Sequence, residues 1–112
     1  MITINDIIKW SKPHPATKHT PNDKGRLVRI GDDNITLSIV GGSRGLYGDF
    51  KDTFELAILD NTSGNFMTRY YVGGNDDVVP YMPADELVEL VNSIIKSDKL
   101  KVNGKDMISK LD

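Results

Sequence analysis

Between two runs that alternate like strands lies Gly41-Gly42-Ser43-Arg44-Gly45-Leu46-Tyr47-Gly48-Asp49-Phe50. Four glycines in ten residues mark a place where the backbone turns sharply or something approaches it closely. The first five residues also spell G-x-S-x-G, the signature of a serine nucleophile on a strand-to-helix elbow. That chemistry needs a strand before the serine and a helix directly after it. The strand is present, but Leu46 to Phe50 is a poor helix start with Gly48 in its middle. The hydrolase order puts the histidine after the serine, whereas His14 and His19 both precede Ser43. A chain of 112 residues is also too short for that fold. No catalytic residue is assigned.

The same loop admits two other readings. Its glycine-rich backbone can form an anion-binding nest, to which Arg44 adds a charge-assisted contact. That would make it a small-molecule or nucleotide module, although no G-x-x-x-x-G-K-[ST] and no helix-opening G-x-G-x-x-G is present. The favoured reading makes it a contact surface, with Arg44, Leu46, Tyr47 and Phe50 displayed to a partner. Tyrosine and arginine are enriched at interface hot spots. Against that stands a purely structural alternative, in which Leu46 and Phe50 fold back to cap the core. His14 and His19 lack the converging ligands that a metal needs, so no metal and no cofactor is assigned.

A second candidate is the basic stretch near the N-terminus. Lys9, Lys12, Lys18, Lys24, Arg26 and Arg29 stand against Asp23 alone, whereas residues 30 to 96 lean acidic. Lys12, Lys18, Lys24 and Arg26 are the residues that would contact phosphates, with Trp10 as a stacking platform. A pI near 5.6 and the absence of an RNP-type motif argue against nucleic acid as the main partner. Trp10 is read as the anchor of a first helix. Asp76-Asp77 is read as a solvated turn.

Composition bounds the rest. Hydrophobic residues at 38% and charged residues at 27% describe an ordinary globular chain, and its length fits one domain over residues 1–112. The absence of cysteine removes disulfide scaffolds and thiolate sites. Met1 to Ile4 lacks a basic start, and no stretch approaches the roughly 18 apolar residues that span a bilayer. The expectation is a soluble cytoplasmic protein with no membrane partner.

The elements that position these residues follow from periodicity. Thr3 and Asp6 resemble a capping box, and Ile4, Ile7 and Ile8 recur at helical spacing, which predicts a short helix over about 4–11. Pro13 and Pro15 stop it, and residues 12–24 read as an irregular basic arm. Period two then predicts strands over 27–30, 35–40, 54–59 and 66–72. Thr36 and Ser38 lie on a wet face of the second, and Tyr70 and Tyr71 on opposite faces of the fourth. Val78 to Tyr81 reads as a short edge segment because of Pro80. Pro83 opens a helix to about residue 96, with Leu87, Leu90, Val91, Ile94 and Ile95 as its apolar stripe. Residues 100–111 fit a hairpin about Asn103-Gly104 or a last short helix.

The reading is an α+β fold with an antiparallel sheet of four to five strands packed against one long helix. The function expected is that of a small non-enzymatic binding protein acting through protein contacts. By analogy alone it suits an accessory or inhibitory protein, such as phages encode.

Overall fold

The protein is described here as a computed structural model covering residues 1–15, 24–43 and 46–97. In chain order its elements are α1 (Ile4–Trp10), β1 (Lys12–Pro13), β2 (Arg26–Gly31), β3 (Ile35–Gly41), β4 (Thr53–Asp60), α2 (Thr68–Val72), β5 (Val79–Pro83) and α3 (Ala84–Ser97). The five strands make one sheet in the order β1-β2-β3-β4-β5, with every neighbouring pair antiparallel. The α+β class and the sheet–helix packing are as the sequence predicts.

Register explains the core. Val28 pairs with Ile39 and Ile30 with Leu37, while Leu37 pairs with Ile58 and Ile39 with Leu56. Partners across a ladder share a face, so these six side chains form one apolar surface, and all are fully buried. α1 and α3 cover it, contributing Ile7, Leu87, Val91 and Ile94 to the same cluster. A fully buried side chain of this kind contributes about 1.5–3 kcal/mol. Trp10 packs against the cluster from the end of α1, the anchoring place predicted for it.

The ends of α1 are closed by side chains. The Thr3 hydroxyl accepts from the Asp6 amide at 3.2 Å, and the Asp6 carboxylate accepts from the Thr3 amide at 2.9 Å. The Thr3 amide, then its hydroxyl, hold the Asp6 carboxyl below the usual carboxylate range. Asn92 of α3 ties down the chain start: its side chain accepts from the Ile2 amide at 3.0 Å and donates to the Ile2 carbonyl at 2.8 Å.

Four expectations need correction. The strand predicted over 66–72 is a single bridge, Phe66 to Leu59, followed by the helix α2. The Met67 amide donates to the Ile58 carbonyl at 2.6 Å. The Thr68 hydroxyl then accepts from the Ile58 amide at 2.9 Å and donates to the Asp77 carbonyl at 2.6 Å. A side chain thus satisfies the β4 backbone where another strand residue would have done so, and the following residues coil. Thr68 and Tyr71, three apart, both face inward while Arg69 and Tyr70 between them are exposed, a helical rather than a strand pattern.

The basic arm, second, is not irregular throughout. Lys12 and Pro13 pair with Leu27 and Arg26 as the sheet's edge strand, where a proline without an N–H is tolerated. Residues 16–23 of that arm lie outside the described residues. Third, Thr36 is buried rather than wet, its hydroxyl bonded to the Asn61 side chain at 2.7 Å. Asn61 also donates to the Asp32 carbonyl at 2.7 Å, so one turn residue stitches the β2–β3 hairpin to the end of β4. Fourth, Pro83 closes β5 and the helix begins at Ala84. The alternatives for residues 100–111 fall outside the described residues.

Candidate functional site

The loop after β3 is built around two glycines that no other residue replaces without strain. Gly42 has φ +83, and a Cβ there would lie 2.5 Å from the Lys24 carbonyl oxygen. Gly48 has φ +152, and its Cβ would lie 2.7 Å from the Thr53 carbonyl oxygen. The Gly42 amide donates to the Gly48 carbonyl at 2.9 Å, closing the loop on itself. Close backbone packing, rather than room for a ligand, therefore accounts for these glycines.

Asp49 locks the far side. One carboxylate oxygen accepts from the amides of Lys51 (2.9 Å), Asp52 (2.8 Å) and Thr53 (3.0 Å). The Asp49 amide in turn donates to the Thr53 hydroxyl at 3.2 Å. Led by the Thr53 amide, these donors pull the Asp49 carboxyl down to about 2. Phe50 follows with φ 59, a left-handed conformation that turns its ring inward. The ring is buried and meets Phe54 edge to face, with centroids 5.0 Å apart. Phe50 is thus a core residue and is withdrawn from the contact surface expected for it.

Tyr47 goes the other way. Its amide donates to the Glu55 carboxylate at 3.1 Å, and its carbonyl accepts from the Tyr81 amide at 3.0 Å. The two tyrosine rings meet at 5.8 Å and 63°, and they remain 48% and 59% exposed. Tyr81 owes its place to a β-bulge. Phe54 pairs with Met82 and Leu56 with Val79, which leaves Glu55 opposite both Pro80 and Tyr81. Tyr81 adopts φ 52, a conformation that costs a non-glycine residue about 1–2 kcal/mol. Pro80 and Pro83 have no N–H, and the Tyr81 amide is already used, so this sheet edge offers little to another strand.

The other sequence candidates are dispersed. Leu46 is half-buried beside Tyr47, and Arg44 lies outside the described residues. Ser43 is half-buried just past β3, and residues 46–50 form bends, not the helix that a nucleophile elbow needs. Lys24 is exposed, while Lys18 and His19 lie outside the described residues. Arg26 donates to the Ser11 carbonyl at 2.6 Å and to its hydroxyl at 3.0 Å, closing the C-terminal end of α1. Lys12 pairs with Leu27, so it lies on the opposite face of the ladder from Arg26. Lys12 and Arg26 therefore do not line one phosphate-binding strip.

Asp77 is exposed and 3.6 Å from Arg69. Among the described residues no three histidine or carboxylate side chains converge on a metal-sized site, and no helix is long and apolar enough to cross a membrane. An open cleft of about 360 Å³ lies beside β5, lined by Val72, Gly74, Asp76, Val79, Pro80 and Met82.

Sequence reasoning missed Tyr81 and Glu55. The signal for Tyr81 was present in Pro80-Tyr81-Met82-Pro83, which sets a ring between two residues that cannot donate to a ladder. Glu55 carries no local signal, since its role depends on the bulge opposite. No protein-family model, curated protein or solved structure matches the chain, and the reading of this surface rests on its geometry.

Proposed function

We propose that the protein is a small non-enzymatic binding domain that engages another protein through the Tyr47–Tyr81 face. One observation carries this reading. Two half-exposed tyrosine rings from separate segments meet on a backbone held by a glycine closure, an aspartate turn and a bulge. A pre-positioned tyrosine offers large contact area at little entropic cost, which is why tyrosine is enriched among hot-spot residues. The unfavourable φ of Tyr81 is kept although a glycine there would relieve it, consistent with a ring retained for use. An accessory or inhibitory role suits such a domain.

The test is affinity capture from lysate of the source cell, with nuclease treatment, comparing the native chain with Tyr47→Ala and Tyr81→Ala. Both variants keep the native melting temperature within a few degrees and lose a protein partner that the native chain retains. Retention of every partner by both variants would remove this face as the interface. A capture abolished by nuclease would transfer the function to nucleic acid.

A further inference from the structure

We infer that the Tyr47–Tyr81 face receives an arginine side chain from an extended segment of its protein partner, the guanidinium lying against the rings and reaching Glu55. This deepens the contact-face reading above and rests on it. The first support is the pair itself. An edge-to-face arrangement leaves a ring face open, and the negative quadrupole of that face attracts a cation within about 6 Å.

The second is Glu55. The Tyr47 amide holds one of its carboxylate oxygens at 3.1 Å, so the group is already fixed beside the Tyr47 backbone. The other oxygen has no hydrogen-bond partner among the described residues.

The third is the surrounding charge. Segments 46–55 and 79–87 contain Asp49, Asp52, Glu55, Asp85 and Glu86, with Lys51 as their single cation. The Ala84 amide donates to the Asp52 carbonyl at 3.1 Å, which brings the acidic first turn of α3 to this end of the sheet. Carboxylates in that number repel a phosphate and favour a cation. Arginine fits better than lysine. A planar guanidinium stacks on a ring and offers parallel donors to a carboxylate, while an ammonium is a strongly hydrated point charge. The edge prolines bar the partner from adding a strand to β5, so recognition falls to side chains.

The experiment titrates the ¹⁵N-labelled full chain at low salt with the acetylated, amidated pentapeptide GRGRG, and with GKGKG and GQGQG as comparisons. The amide signals of Tyr47, Gly48, Glu55 and Tyr81 move saturably with the arginine peptide, less with the lysine peptide and not with the glutamine peptide. Glu55→Gln, which keeps an acceptor for the Tyr47 amide, weakens the response about five-fold, and Tyr81→Ala on the order of ten-fold. Equal response to GQGQG would overturn the inference, as would shifts centred on Asp76 and Asp77 or indifference to both variants. Lysate capture with Glu55→Gln separates the two levels. A partner lost by Tyr47→Ala but fully kept by Glu55→Gln removes the arginine and leaves the contact face. Retention by all variants removes both.

Discussion

Residues 46–54 contribute to two aromatic pairs of almost the same geometry and opposite exposure. Phe50 and Phe54 meet at 5.0 Å and 70° inside the core, while Tyr47 and Tyr81 meet at 5.8 Å and 63° on the surface. An aromatic contact of this type contributes about 0.5–1.5 kcal/mol beyond area burial, so the ring–ring term alone does not distinguish them. Desolvation does. The inner pair adds burial of two large apolar side chains and supports the fold. The outer pair leaves half its surface in water, where its energy is available to a partner.

Four measurements would break or sharpen that contrast. Phe54→Ala, which empties the inner pair, is expected to lower unfolding stability by about 3–5 kcal/mol in urea titration. A loss as small as that of a surface substitution would mean the inner pair is not core. Gly48→Ala acts on the hinge between the pairs and is expected to cost about 2 kcal/mol or more, because it combines an unfavourable φ with a backbone contact at 2.7 Å.

Asp49→Ala removes the acceptor of three amides and is expected to cost about 1–2 kcal/mol. The folded Asp49 carboxyl, at about 2, lies below its ordinary 3.8. Its stabilising effect is therefore complete above the ordinary value and fades as the pH falls from 3.8 towards 2. Asp49→Asn should flatten the stability profile across that acid window, and an unchanged profile would contradict the turn's role. Smallest of all, Tyr47→Ala and Tyr81→Ala should each shift stability by less than about 1 kcal/mol. Their double-mutant cycle should give a coupling of about 0.5–1 kcal/mol. Coupling near zero would show that the rings act independently.

Much of the scaffold was legible before the structure. The capping box at Thr3 and Asp6, the strands about Val28, Ile39 and Leu56, and the stripe of α3 all came from spacing, because each is a local pattern. The stretch over 66–72 misled because its residue types favour strands while its environment did not. The Thr68 hydroxyl took the hydrogen bond of Ile58 and ended the ladder. At the site, Tyr47 was named from loop composition. Phe50, which composition placed beside it, went into the core because its left-handed backbone turns the ring towards Phe54.

By itself the sequence determined the α+β class, the capped first helix, and a glycine-rich loop bearing Tyr47. These are short-range properties, set by periodicity and by what glycine and proline permit. Only the tertiary structure decided that the glycines serve backbone packing, that Arg26 closes a helix, and that Tyr81 and Glu55 stand beside Tyr47. Those facts depend on how the strands register, and the last also on one bulge in β5. Register is a long-range property, and a shift of one residue would have turned every one of these side chains to the other face.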